Sequence, residues 1–402
     1  MTQELVRRLR REVAELLSAG QGSLEGRGRP GMDEDDRRQL GRQLILEAIE
    51  RHQQRLLALG KPLLEQGEED QIARQVDAAL FGVGRLEPLL ADPDIENINV
   101  NGYDTVWLTY ADGTKVAGPP VADSDEELVE LIRLMAARLG MNERRFDAGS
   151  PRLNLRLPDG SRLSAIMGVA TRPALSIRRH RYPRVFLDDL VGLGAIDEGL
   201  KSFLAAVVLA RKNVVVAGGT NAGKTTLLRA LANVIPPGER LVTIEKSLEL
   251  GLHELGELHP DVVALEAREP NAEGEGEVRM AELVGHGLRM DPSRVIVGEV
   301  LGDEVLSMLN AMSQGNDGSM CTIHATSSEY TFQRIATYAI QSAERLPVHA
   351  TAQLVAGAID FVVFIGQRDL RAHGGPHLRY VASVREVLDA EGASVVTNEV
   401  FR

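Results

Sequence analysis

The 402-residue sequence is poor in several residue types, and each shortage narrows the kind of protein that it encodes. It contains a single cysteine, Cys321, so an intramolecular disulfide is excluded and a reducing, cytosolic compartment is expected. Aromatic residues make up only 4%, so the core must consist mainly of leucine, valine, isoleucine and alanine, as in α/β layers. No cysteine and histidine pattern has metal-binding spacing, and no serine–histidine–aspartate signature predicts acyl transfer.

The sequence also lacks a net positive charge and long apolar runs. The formal net charge of −13 argues against coating of nucleic acid, so we expect no direct nucleic-acid contact. No apolar run approaches the ~20 residues of a membrane span, because the best candidate, "LVAGAIDFVVFIG", is short and contains Asp360. The N-terminus lacks the apolar core of a signal peptide. We therefore expect a cytoplasmic protein whose association with a membrane is peripheral.

The length predicts two or three domains. The first, residues 1–80, is expected to be a helical extension, with helical apolar spacing over 4–18 and further helices at about 33–59 and 68–81. The glycine-rich stretch "SAGQGSLEGRGRPG" (18–31) predicts a linker within it. The arginines of the first helix are typical of a solvated face; docking to a partner is the less favoured alternative.

Two regions with different sequence patterns follow. Residues 81–183 show short alternating runs separated by turn pairs such as Asn101-Gly102 and Asp112-Gly113, with one helix at 123–140, which predicts a small α+β domain. From 187 to 402 apolar strands alternate with helices, which predicts a mainly parallel sheet covered on both faces. A terminal hairpin should turn at Glu391-Gly392. The predicted strands are 213–217, 241–245, 294–298, 320–324 and 361–366.

A phosphate-binding loop interrupts this second region. The stretch "VVVAGGTNAGKTTLLRA" (214–230) matches G-x-x-x-x-G-K-[ST], in which backbone N–H groups surround the β-phosphate. In this pattern Lys224 reaches the β- and γ-phosphates, Thr225 ligates Mg²⁺, and the following helix directs its positive end at the phosphates. A ligand-free glycine-rich turn is the alternative. The expected nucleotide-binding positions are Gly218, Gly219, Thr220, Asn221, Ala222, Gly223, Lys224, Thr225 and Thr226.

Hydrolysis needs further groups at neighbouring strand ends. Glu299 ends the apolar strand of "SRVIVGEV", where a carboxylate orients water or Mg²⁺; capping of the next helix is the alternative. Glu245 ends the strand of "LVTIEKS" in the same way. His324 ends "SMCTIH" and is a candidate γ-phosphate contact, although a lone histidine is more often structural.

Together these stretches resemble the secretion ATPases of type II and type IV systems, and specifically the CpaF-like ATPases of Tad/Flp pilus assembly. The matching segments occur in family order over about residues 81–370. They are "FGVGRLEPLLADPDIENINVNG" (81–102), "SPRLNLRLPDGSRLSAI" (150–166), "ALSIRRH" (174–180), "GGTNAGKTTLLRAL" (218–231), "LVTIEKSLEL" (241–250), "EAREPNAEGEGEVRMAELV" (266–284), "LRMDPSRVIVGEV" (288–300) and "NDGSMCTIHATS" (316–327).

The resemblance implies a cytoplasmic homo-hexamer beneath an inner-membrane platform protein. It implies a RecA-like P-loop NTPase domain preceded by a smaller α+β N-terminal domain, with a hinge at about 181–187 and the nucleotide between the two. ATP and Mg²⁺ are the implied cofactors, and ATP hydrolysis that powers pilus assembly or protein secretion is the implied activity.

The resemblance also assigns roles to particular residues. Glu299 corresponds to the catalytic glutamate, Glu245 to the glutamate of the "Asp box", and His324 to the "His box". Arg178 and Arg179 match the strand whose arginines sense the γ-phosphate, and only one of them is expected to reach it because adjacent strand residues face opposite ways. Arg268 also matches a family position and is a candidate for compensating phosphate charge. A surface salt bridge is the alternative for each arginine.

Three departures from the family pattern leave alternatives open. Lys246 stands where the family has an aspartate, Leu301 where it has an arginine, and Asn221-Ala222 where it has Gly-Ser. A lysine beside the metal site predicts slow hydrolysis or altered metal handling, which allows a nucleotide-gated scaffold with little turnover. A conjugation-like type IV ATPase that moves DNA or protein is the other alternative.

Overall fold

The computed structural model describes residues 2–25, 34–139, 145–157, 159–179, 184–270, 274–370, 375 and 377–402. The chain divides into two compact units, Met1–Arg179 and His180–Arg402. Residues 181–183 of the expected hinge lie outside the described ranges.

The first unit begins with three helices, α1 (Thr2–Glu25), α2 (Glu34–Ala58) and α3 (Gln66–Phe81). They enclose a core of their own, formed by Leu9, Val13, Leu17, Ile45, Ala48, Ile49, Ile72 and Val76. The linker predicted at 18–31 is wrong in its first half, because α1 continues to Glu25. Each glycine costs a helix only about 1 kcal/mol relative to alanine, so Gly20 and Gly22 are tolerated beside good helix formers. Residues 26–31 lie outside the described part of the chain.

The rest of the first unit is the expected α+β element. Its antiparallel sheet has the order β3-β2-β1-β6-β5-β4. Helix α5 buries Leu128, Ile132 and Met135 in a second core shared with the sheet. The elements are α4 (Glu87–Ala91), β1 (Ile95–Asn101), β2 (Val106–Tyr110), β3 (Lys115–Gly118), α5 (Asp125–Leu139), β4 (Arg152–Arg156), β5 (Arg162–Ile166) and β6 (Ala174–Arg178).

Ion pairs join the helical extension to this element. Arg7 pairs with Asp123, and Arg10 lies 3.1 Å from Glu127 in the first turn of α5. Acidic residues at a helix N-terminus are favoured by the helix dipole, so this end of α5 offers carboxylates to α1. Two arginines of the basic face predicted to be solvated are therefore engaged within the chain.

The second unit is built on an eight-stranded sheet of order β14-β13-β12-β7-β11-β10-β8-β9. The strands from β12 to β9 are parallel, and β13 and β14 continue the sheet as an antiparallel hairpin. The strands are β7 (Val214–Gly218), β8 (Leu241–Glu245), β9 (Val262–Glu266), β10 (Arg294–Val300), β11 (Met320–His324), β12 (Phe361–Asp369), β13 (His377–Glu391) and β14 (Ser394–Phe401). The helices are α6 (Leu187–Gly192), α7 (Glu198–Leu209), α8 (Lys224–Ala232), α9 (Met280–Gly287), α10 (Glu304–Ser313), α11 (Tyr330–Gln341) and α12 (Val348–Ala358).

This topology confirms the predicted α/β class with a mainly parallel sheet. The prediction missed β9, an edge strand whose residues are only half-buried. Its four-residue apolar run is too short to be distinguished from a helix segment by periodicity. The hairpin turn was predicted correctly, since Gly392 follows β13 with φ of 61°. Cys321 is fully buried, as expected from its place in an apolar strand.

A buried ion pair fixes the start of β10. The Arg294 side chain is 1% exposed and binds Glu239 through two parallel hydrogen bonds of 2.7 Å. Its remaining Nη1 donates to the Val208 carbonyl at 2.8 Å. Hydrogen bonding from Arg294 lowers the pKa of Glu239, so the pair is charged at neutral pH. Hydrogen bonds that satisfy both charged groups are needed to offset the free-energy cost of removing two charges from water.

Within the described part of the chain, none of the helices combines the length and the apolar character needed to cross a bilayer.

Candidate active site

The phosphate loop runs between β7 and the first turn of α8. All five residues of β7 are buried, and Gly223 precedes α8 with φ of 100°. Asn221 also has a positive φ, of 58°, and asparagine is one of the few residues other than glycine that adopt this conformation readily. The departure at Asn221 is therefore compatible with the loop. Ala222 beside it is buried.

Gly218 allows the loop to start close to the neighbouring strand. A Cβ at this position would lie 2.9 Å from the carbonyl oxygen of Ile365 on β12 and 3.3 Å from Cβ of Ala222. Because this contact would be with backbone, moving the Ile365 carbonyl away from the added Cβ would cost considerable free energy. The first glycine of the motif is thus required by packing.

Lys224 points back across the loop and is buried. Its Nζ donates to the Gly219 carbonyl at 3.1 Å and lies 3.6 Å from Oε1 of Glu299. The ammonium is therefore held at the strand ends, where the motif requires it, with a carboxylate beside it.

His324 bridges Lys224 and Glu299. Strand β11 lies between β7 and β10, so the histidine at its end is placed between the two charged side chains. Nε2 lies 2.8 Å from Oε1 of Glu299, and Nδ1 lies 3.2 Å from Nζ of Lys224. Burial and then the Lys224 charge lower the pKa of His324, against the opposing effect of Glu299. The network assigns a neutral ring that donates from Nε2 to Glu299 and accepts at Nδ1.

Glu304, rather than Glu299, caps the loop before α10. Oε1 of Glu304 accepts the backbone N–H groups of Leu301 and Gly302. Because Glu304 already accepts the N–H groups that precede α10, the alternative in which Glu299 caps the next helix is not supported. Leu301, another departure from the family pattern, is exposed beside it.

Glu245 is brought to the same edge of the sheet but lies in the interior, 2% exposed. Its Oε2 accepts the backbone N–H groups of Glu249 and Leu250 at 2.7 and 2.8 Å. Burial raises the pKa of Glu245 to about 7, partly opposed by these hydrogen bonds. The carboxylate thus holds the loop after β8, while Lys246, which also departs from the family pattern, is exposed.

The predicted arginines have different surroundings. Arg178 is exposed on β6, and its side chain has no ion pair or hydrogen bond among the described residues. Arg179 donates to the Asp92 carbonyl and lies 3.9 Å from Asp159, within its own unit. Arg268 is exposed and donates from Nε to the Gly276 carbonyl at 2.5 Å, closing its own loop.

Two residues next to the phosphate loop were missed by the sequence reasoning. Gln367 on β12 donates to the Thr220 carbonyl at 3.3 Å. Arg379, its partner on β13, has its Cδ 3.8 Å from where a Cβ on Gly223 would lie. Neither residue belongs to a motif, and only the pairing register of β12 with β13 brings them to the loop.

The oxygen ligands present fit Mg²⁺. Thr225 lies in the first turn of α8, and the Glu299 carboxylate is at the end of β10. Magnesium prefers hard oxygen ligands and is usually held by one or two protein groups together with substrate phosphates. The hydroxyl of Thr225 and the carboxylate of Glu299 are the side chains suited to this.

The phosphate loop follows a buried parallel strand, and a histidine and a carboxylate from neighbouring strand ends lie against its lysine. This arrangement defines a P-loop NTPase of the RecA-like type. The sequence profile of the family described as "Type II/IV secretion system protein" matches residues 81–371. The chain belongs to this family, whose members include secretion ATPases. The resemblance inferred from the motifs is confirmed at the level of that superfamily.

Individual relatives agree with this assignment. A Mycobacterium tuberculosis protein, provisionally named a conjugal transfer protein, is 34% identical over 329 residues, covering 79% of this chain and 88% of the relative. The type IV secretion system protein VirB11 of Brucella suis is 29% identical over 340 residues, covering 77% and 89%. The solved structure of the pilus retraction motor PilT with bound ADP shares the fold, with a TM-score of 0.54 at 15% identity over 76% of this chain and 83% of PilT.

Proposed function

We propose that the protein is an ATP-hydrolysing, hexameric motor that powers pilus assembly or protein secretion through an inner-membrane platform protein, as in Tad/Flp systems. The observation that carries the proposal is the contact of Lys224, His324 and Glu299 at the phosphate loop. A loop that only bound nucleotide would not need a carboxylate and a neutral histidine beside its lysine.

Each part of the cluster has a task in phosphoryl transfer. The loop amides and the N-terminus of α8 bind the phosphates, and Lys224 exchanges its contact with Glu299 for the β- and γ-phosphate oxygens. The Thr225 hydroxyl and the Glu299 carboxylate would hold Mg²⁺, which would neutralise part of the phosphate charge. Glu299 then orients the attacking water and accepts its proton, while His324 holds the carboxylate through Nε2–H and contacts the γ-phosphate region. Glu245 acts indirectly, by holding the loop after β8.

The family resemblance gives arginines of the first unit a part in sensing the γ-phosphate. We assign γ-phosphate sensing to Arg178, because its guanidinium is exposed and unengaged among the described residues, whereas Arg179 is held by Asp92 and Asp159. Arg268 remains a candidate for compensating phosphate charge. Closure on ATP and opening after hydrolysis would move a membrane partner if ATP binds the closed state better.

The proposed setting is cytoplasmic, at the inner face of the cell membrane, with attachment through partner proteins and without direct nucleic-acid contact. The net charge of −13 supports the last point.

Steady-state hydrolysis of ATP by the full chain tests the proposal, with and without Mg²⁺. Glu299→Gln should lower kcat by about a hundredfold or more with little change in ATP affinity, since the amide cannot accept a proton. Lys224→Ala provides the background rate. Turnover by Glu299→Gln equal to that of the unmodified protein would refute the base assignment.

Two alternatives are decided by related measurements. The names of the relatives from M. tuberculosis and B. suis favour a conjugation-like type IV ATPase that moves DNA or protein. Salt-dependent DNA binding by the purified protein would support that reading. The exposed Lys246 beside Glu245 favours a nucleotide-gated scaffold. Turnover no faster than that of Lys224→Ala, together with retained ATP binding, would support the scaffold.

A further inference from the structure

The helical extension contains a groove of about 360 Å³ between α2 and α3, and the proposed ATPase site does not use it. One face of α2 supplies Leu46, Ile49, Glu50 and Gln53, which share the i, i+3, i+4, i+7 spacing of a helix face. The start of α3 and Leu63 of the connecting loop form the other wall. The groove lies outside residues 81–371, the part of the chain that matches the secretion family.

The groove is preformed. The Gln53 amide exchanges two hydrogen bonds with the backbone of Leu64, one from Nε2 to the carbonyl and one from the Leu64 N–H to Oε1, both 3.0 Å. These bonds hold the connecting loop against α2 and so position Leu63. Because the walls are fixed beforehand, an occupant would not need to order them.

The apolar residues of the groove are exposed although the extension has its own core. Leu46 is 64% and Leu63 is 51% exposed, whereas Ile49 below them is 4% exposed. Leu46 follows Ile45, which is buried, so α2 presents apolar side chains on two faces. One face closes the three-helix core, and the other is available to a partner.

The rim carries charge of one sign. The ionisable side chains that line the groove are Glu50, Glu69 and Asp70, all acidic. Glu69 accepts a hydrogen bond from Gln53, while Glu50 and Asp70 have no ion pair among the described residues. Opposite charges across an interface steer association and suppress wrong partners, so the complementary occupant is basic.

We propose that this groove binds a basic amphipathic α-helix of another protein, with apolar side chains between α2 and α3 and lysine or arginine against Glu50 and Asp70. A helix fits because apolar anchors spaced by one turn match a groove between two helices. A membrane surface does not fit, because anionic headgroups would be repelled by the acidic rim. A second copy of α1 is a poor occupant, since Arg7 and Arg10 already pair within the chain.

The test uses the full chain and two labelled synthetic helical peptides of about 18 residues, or five turns, with identical leucine faces and either lysine or glutamate flanks. Fluorescence anisotropy at physiological salt should show binding of the lysine peptide only. Leu46→Ser and Glu50→Lys should each weaken that binding by about tenfold. Leu209→Ser and Glu47→Lys are matched controls, because Leu209 is exposed on α7 in the second unit and Glu47 is exposed on α2 outside the groove.

Three results would overturn the proposal. The first is equal binding of the lysine and glutamate peptides. The second is equal weakening by the groove variants and their controls, which would indicate general attraction to an acidic protein. The third is self-association of the chain that Leu46→Ser abolishes, which would make a second copy the occupant. Because the readout is peptide binding, it is independent of the ATPase assay.

Discussion

Glu245 and Gly298 lie on adjacent parallel strands, and the side chain of the first fills the space that the second leaves free. A Cβ added to Gly298 would be 2.9 Å from Cγ of Glu245. The glycine that precedes Glu299 therefore makes room for a buried carboxylate, which in turn holds the loop after β8 through Glu249 and Leu250. The positions of Glu245 and Glu299 are linked by this packing.

Gly298→Ala should destabilise the protein by about 1–3 kcal/mol, because the added methyl group forces the Glu245 side chain out of its place. Urea unfolding monitored by circular dichroism measures the change. Gly357→Ala is the matched control, since none of the described residues lies within 4 Å of a Cβ at this helical position and the exchange should be neutral or stabilising. If Gly298→Ala lowered the free energy of unfolding by the same amount in a Glu245→Ala background, the two residues would not interact.

Glu245→Gln should remove a pH dependence of stability. Burial raises the pKa of Glu245 from 4.5 to about 7, so the folded state retains a proton that the unfolded state has released. The free energy of unfolding should therefore fall as pH rises between these values, by up to about 3 kcal/mol, and level off above pH 7. Urea unfolding of both proteins from pH 5.5 to 8.5 measures the difference, and identical slopes would contradict the assignment.

The two neighbouring arginines of β6 should respond differently to removal. Arg178→Ala should lower kcat for ATP by about tenfold or more without changing the melting temperature, because its guanidinium makes no ion pair or hydrogen bond with the described residues of its unit. Arg179→Ala should lower the melting temperature instead, since it removes the contacts to Asp92 and Asp159, with a cost of about 1 kcal/mol. Each variant serves as the control for the other. The reverse pattern would move the sensing role to Arg179.

Arg379→Ala should weaken ATP and ADP binding to the same degree, by about tenfold. Its Cδ lies beside Gly223 of the phosphate loop, so we expect its guanidinium to contact phosphates that are common to both nucleotides. Arg368→Ala, exposed on the neighbouring strand β12, is the control. Displacement of a fluorescent ADP analogue measures both affinities. A loss confined to ATP would place Arg379 at the γ-phosphate instead, and no loss would exclude it from the site.

The sequence alone was sufficient to predict the local motifs and the periodic secondary structure of this protein. The spacing of Gly218, Gly223, Lys224 and Thr225 predicted the phosphate loop, because backbone N–H groups can surround a phosphate only with glycines at such positions. The alternation of apolar strands and helices predicted the parallel sheet, whose strand ends meet at one edge. From that rule Glu299 and His324 were expected at the site. The motifs were specific enough to identify the superfamily.

Tertiary structure alone decided the relationships that depend on strand order and packing. Strand β11 lies between β7 and β10, and this places His324 between Lys224 and Glu299. Burial separates the inward-facing Glu245 from the exposed Lys246, and pairing of β12 with β13 brings Gln367 and Arg379 to the loop. The groove of the extension arises in the same way, from α2 packing beside α3. Such contacts join residues that are far apart in the chain, and local sequence patterns do not predict which distant segments pack together.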